Sequence, residues 1–218
     1  FDVYVLVSGL LLVGIPHGAL DHLTEGLFAE KKVTLKFIFS YLGLMLPIFL
    51  VWYFFPTAGL LIFLLYSAWH FGQTDVKNWG FSNPLLAFGW GVSILAFLFG
   101  THFNEFNYIL SVIGVQPLPM VNDIDTWSYA LLLWPTVVAM VYKKWNWLGL
   151  IAFLILAQNL GLLVAFGLYF IFYHSLTGWY NLKSNLKWSH LKMYIQALPF
   201  NLGAIMLYWL LFVKLENS

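Results

Sequence analysis

The chain has 218 residues, of which 61% are hydrophobic, 20% aromatic and only 9% charged, with a mean hydropathy of +0.82. A soluble domain carries about 25% charged residues, so the composition excludes an ordinary soluble protein and predicts an all-α polytopic bundle, one integral membrane domain over residues 1–218. A net charge of +1 gives no electrostatic case for nucleic acid, and without cysteine there are no disulfides, iron–sulfur clusters or thiolate ligands, so any metal must be held by His, Asp, Glu or backbone oxygen.

A span needs roughly 20 mostly apolar residues to cross the hydrocarbon core. The first predicted span covers 1–22. It begins at Phe1, inside an apolar run without a basic leader or small-residue cleavage site, and reads as a possibly truncated first span rather than a signal peptide. It closes on Gly14-Ile15-Pro16-His17-Gly18-Ala19-Leu20-Asp21-His22. Two histidines and an aspartate at this depth are costly and mark a functional position by default. Pro16 removes a backbone donor, and the flanking glycines allow close approach. A kinked helix end with interfacial polar residues is the bland alternative.

The second span is predicted over 35–55, stopping at Pro56, and the third over 58–75. The third ends in Ser67-Ala68-Trp69-His70-Phe71-Gly72-Gln73-Thr74-Asp75. A fourth covers 84–101. The stretch 102–126 is the longest polar interruption, and Phe106, Tyr108, Ile109 and Ile113 within it suggest a short interfacial helix. The fifth covers 127–142. As one helix, 145–179 would be about 50 Å long, too long for a single crossing. Gln158-Asn159-Leu160-Gly161 divides it into a sixth span over 147–157 and a seventh over 160–179. An eighth covers 194–213.

All ten basic residues are lysines. With eight crossings, Lys31, Lys32, Lys36, Lys77, Lys143, Lys144, Lys183, Lys187 and Lys192 share one side. With seven, which is the count if 145–179 crosses once, the last three change sides. Short cytoplasmic loops collect lysine, so eight spans are expected, in the inner (plasma) membrane with the lysine-rich loops cytoplasmic. The same count brings His17, His22, His70 and His174 to similar depth near the cytoplasmic ends of spans one, three and seven. The last of these lies in Phe172-Tyr173-His174-Ser175-Leu176-Thr177-Gly178-Trp179.

Neutral imidazole is the commonest protein ligand for iron, copper and zinc, and a helix bundle can aim ligands from several helices at one point. Taken singly, each histidine reads as a hydrogen-bonded side chain; as a group they predict a metal site. Asp21 and Asp75, with Ser175 and Thr177, are placed to hold the second ring N–H of such ligands. His102 and His190 fall in polar loops and read as solvated. The aromatic residues are first of all packing and interfacial belts, and they also suit a pocket for a long apolar polyene.

The strings Pro16-His17-Gly18-Ala19-Leu20-Asp21-His22, Trp69-His70-Phe71-Gly72-Gln73-Thr74-Asp75 and Tyr173-His174-Ser175 resemble the Brp/Blh family. Its members are integral membrane β-carotene 15,15′-dioxygenases of bacteria and archaea that supply retinal to microbial rhodopsins. The resemblance implies a non-haem Fe(2+) held by histidines, with O2 and β-carotene as substrates and all-trans-retinal as product. By position it assigns His17, His70 and His174 as ligands and catalytic residues. Members of the family often carry a second histidine four residues after the last of these. Gly178 stands there in this chain, which makes His22 the candidate fourth ligand. A carotenoid is a rigid apolar rod that should enter from membrane lipid, along a tunnel whose walls are expected to include Trp69, Phe71, Tyr173 and Trp179.

Four other functions compete, of which a membrane fatty-acid desaturase or hydroxylase would need more histidines, in paired HxxxH and HxxHH clusters that are absent. A rhodopsin needs a lysine within a span for its Schiff base, and none of the predicted spans has one centrally. A haem-binding membrane protein could use two of the histidines on facing helices. A proton-coupled transporter could use the His and Asp residues as a relay, although no internal repeat supports it. Stoichiometric iron separates the oxygenase from the relay.

Overall fold

A computed structural model describes residues 2–21 and 35–208, which are mostly helical and contain no strand among them. Three stretches are long and apolar enough to cross a membrane, Pro84–Thr101, Ile124–Val141 and Leu162–Leu186, with shorter apolar helices at Leu6–Leu20 and Trp145–Ala157. The predicted interruption is present: one helix ends at Ala157 and the next begins at Leu162. The chain divides into two compact units, Phe1–Ile38 with Gly167–Ser218, and Phe39–Phe166.

In the first unit, α1 (Asp2–Gly9) runs through a π-helical segment, π1 (Leu10–Gly14), into α2 (Ile15–Asp21). A second π-helical segment, π2 (Leu168–Ser175), leads into α10 (Leu176–Leu186), and α11 (His190–Tyr208) packs along α2. Leu20, Trp179, Leu182, Met193 and Ala197 form its buried cluster, with Leu186 and Trp188 at the margin. Small residues let the backbones approach, as is usual where helices pack in lipid. A Cβ on Gly14 would lie 2.9 Å from the Phe170 ring, and one on Gly9 would run into Ile171.

The second unit is built on a crossing of α4 (Pro56–Asn78) with α5 (Pro84–Thr101). Ala68 and Gly72 on α4 interlock with Ala87 and Gly91 on α5. A Cβ on Gly72 would overlap the Ala87 carbonyl, and one on Gly91 would overlap the Ala68 carbonyl. Pro56 opens α4 at its first turn, where a missing N–H costs nothing. Gly80, at φ +83°, closes it, with Phe81 N–H returning to the Val76 carbonyl at 3.0 Å. Asn83 caps α5 by accepting from the N–H groups of Leu85 and Leu86.

Helices α6 (Phe103–Val112), α7 (Ile124–Val141) and α8 (Trp145–Ala157) follow, and α7 packs on both α5 and α8. The short helix expected in 102–126 is α6. Its buried face is Phe103, Phe106 and Leu110, while Tyr108 and Ile113 are exposed. Trp79, Trp90 and Trp147 form an aromatic core, with Trp79 stacked on Trp147 at 4.3 Å. Leu61, Ile62, Phe63 and Leu65 on α4 face outward, an apolar surface suited to lipid.

One sequence expectation is corrected here. His102 is not a solvated loop residue: it is buried, with Nδ1 2.8 Å from the Leu98 carbonyl and Nε2 2.8 Å from the Leu160 carbonyl. It ties the end of α5 to the turn before α9 (Leu162–Gly167). Glu105 reinforces that join by accepting from Leu162 N–H at 2.7 Å. The polar composition of the neighbouring loop hid a buried join.

Candidate metal centre

Two histidines of the first unit meet in its interior. His17 and His174 are 2% and 0% exposed, and their rings stand edge-on at 75° with centroids 5.6 Å apart. Each is placed by a π-helical segment, a rare irregularity frequent at functional positions.

Beside His17 the cause is Pro16. A proline ring inside a helix clashes with the carbonyl four residues back and cannot donate. The helix accommodates it by widening, so that Ile15 N–H bonds to the Leu10 carbonyl, five residues back. In that register the Leu11 carbonyl would pair with residue 16, which is Pro16 and has no N–H to give. Asn201 on α11 fills the gap, its Nδ2 donating to the Leu11 oxygen at 2.9 Å. Within lipid every backbone polar group needs such a partner.

Beside His174 the widening lies in π2, which has no proline. The His174 ring stacks on Phe170 (5.8 Å, 20°) and lies near Tyr169, so that aromatic groups exclude water from it. Ser175, fully buried, has an Oγ without a hydrogen-bond partner among the described residues. Thr177 turns its hydroxyl back to the Tyr173 carbonyl at 2.5 Å.

The donor set suits a first-row metal. With nitrogens about 2.0–2.1 Å from one ion, two imidazole centroids stand roughly 5–6 Å apart for an open angle between them, and the His17–His174 separation of 5.6 Å matches. The absence of thiolates restricts the set to nitrogen and oxygen donors, which suits iron.

In the second unit, His70 lies on α4 between Ala68 and Gly72, half-buried and stacked on Tyr66 (6.2 Å, 2°). Asp75, fully buried five residues on, accepts from the indole N–H of Trp90 at 3.0 Å. That bond joins α4 to α5. Asp21 ends α2, and His22 lies outside the described residues.

Among the expected tunnel residues, Trp69 is half-buried and Phe71 is buried against Phe166. Tyr173 stacks near Tyr169 at 6.2 Å. Trp179 sits in the apolar cluster of the first unit and donates its indole N–H to His190 Nδ1 at 2.9 Å. His190, expected to be solvated, is thus hydrogen-bonded although exposed.

The model of the family described as "Beta-carotene 15,15'-dioxygenase" matches residues 8–218. The chain belongs to that family. A relative of the same description, from uncultured marine bacterium 66A03, is 31% identical over 183 residues. That match covers 76% of this chain and 64% of the relative, so the chain spans less than two-thirds of the relative's length. No solved structure matches. For this member of the family the paired imidazoles lie within the matched region, as do His70 and Gly178. Asn201, the two π segments and the Gly178 contact described below had no signature in the sequence apart from Pro16.

Proposed function

We propose that this chain, as one integral membrane domain, is an iron-dependent oxygenase that cleaves the central 15,15′ double bond of β-carotene with O2, giving two all-trans-retinals. Both oxygen atoms are consumed, one for each new aldehyde. The observation that carries the reading is the buried His17–His174 pair in a chain of this family. By its place in the Trp69–Asp75 motif His70 is the third ligand of this reading, and His22, in the Pro16–His22 motif, is the candidate for a fourth position. Bound Fe(2+) would supply the activation of dioxygen that an apolar polyene and a singlet-state protein cannot provide.

The rest is the work of the side chains. His17 and His174 bind through neutral imidazole, and their fixed rings orient the donor nitrogens. Tyr169 and Phe170 keep water away from the pair, which protects a reactive site from side reactions. Asp21, Asp75 and Ser175 are outer-shell groups that hold ligand orientation. Trp69, Phe71, Tyr173 and Trp179 contribute tunnel walls, with β-carotene entering from lipid and held by apolar burial worth about 25 cal/mol per Å². Its position along the walls selects the double bond that reacts. The chain crosses the inner membrane eight times with its lysine-rich loops cytoplasmic, and the retinal passes to a microbial rhodopsin.

Expression in cells that make β-carotene tests this directly. Retinal should accumulate with the wild-type chain and disappear with His17→Ala or His174→Ala. Apocarotenals of unequal length would move the cut off centre, and unchanged β-carotene with no retinal would end the reading.

A further inference from the structure

Gly178 lies inside α10 and is buried. A Cβ built there would stand 2.6 Å from each ring nitrogen of His17 and closer still to Cε1. Real Cβ atoms do not approach other atoms this closely, so the imidazole occupies the volume that any side chain at 178 would need. Glycine is also poor in a helix interior, so its presence needs a cause, and the ring provides one. Gly203 on α11 offers the contrast, since a Cβ there would meet nothing within 4 Å.

The His17 ring has little freedom to give way. It is 2% exposed, with His174 edge-on at 5.6 Å and Pro16 stiffening the backbone just before it. Displacing it therefore changes where its nitrogens point relative to those of His174.

We propose that Gly178 is the seat of the His17 imidazole: a positioning residue whose missing side chain fixes the His17 donor in register with His174. In its consequence for metal binding this rests on the metal reading above; the steric seat does not.

The test uses the 218-residue chain in detergent, with iron(II) and cobalt(II) titrated into wild type, Gly178→Ala, Gly178→His and Gly203→Ala. Gly203→Ala should bind within about twofold of wild type. Both Gly178 variants should bind at least tenfold more weakly, with altered cobalt d–d bands. Thermal midpoints are read in parallel on Gly178→Ala, His17→Ala and the double variant. The midpoint should fall with Gly178→Ala in the wild-type background and stay level in the His17→Ala background, where no ring remains to be struck. Unchanged affinity in Gly178→Ala, tighter binding in Gly178→His, or an equal fall in both backgrounds would overturn the proposal. If the wild type takes up neither metal, the metal reading fails, and the thermal cycle alone decides the seat.

Discussion

His17 and His174 meet edge-on in the interior of one helical unit, 5.6 Å between centroids, although 157 residues separate them in sequence (174 − 17). A π-helical segment adjoins or contains each of them. One follows a π segment caused by a proline, and the other lies inside a π segment that has none.

Asn201 makes the first of these segments tolerable by donating to the Leu11 carbonyl. Asn201→Leu keeps the volume and removes the donor, leaving a partly buried acceptor unsatisfied, which costs about 1 kcal/mol. Chemical unfolding in detergent should show that loss. Metal affinity should fall as well, because the carbonyl belongs to the segment that orients His17. Equal stability in Asn201→Leu would mean that water or another group satisfies Leu11.

The α4–α5 crossing depends on Gly72 and Gly91 facing carbonyls rather than flexible side chains. Gly72→Ala should therefore destabilise by about 1–3 kcal/mol or more, as overpacking does. Gly149→Ala on α8, where a Cβ would meet nothing within 4 Å, should be neutral or stabilise by up to about 1 kcal/mol. Paired thermal melts check this, and a Gly72→Ala chain as stable as wild type would contradict the interlocked crossing.

Much of the helical layout was legible in the sequence, because run length and breakers act locally. Pro56 starts α4, Pro84 with Asn83 starts α5, and the Gln158–Gly161 stretch separates two helices. The polar contacts were not legible, because they depend on partners distant in sequence. Nothing near Asn201 points to Leu11, and nothing near Asp75 points to Trp90. His102 was misread for the same reason: its neighbours are polar, but its partners are the carbonyls of Leu98 and Leu160. Pro16 announced a disturbed helix without indicating that the disturbance would be a widening.

His102 consequently makes a separate prediction. His102→Ala removes the tie between α5 and the turn at Leu160, a part-buried contact whose loss costs about 0.5–1.5 kcal/mol. Thermal stability should drop while iron per folded chain remains at the wild-type level. A loss of iron with stability intact would instead place His102 among the ligands.

The measurement that bears most directly on the account is the iron content of the purified chain, alongside the single variants His17→Ala, His70→Ala and His174→Ala. About one iron per wild-type chain is expected, with each variant losing more than the 10–100-fold in affinity that follows removal of an outer-shell partner. A wild type without iron, or any one of the three variants retaining the full complement, would contradict a single metal held by these three histidines.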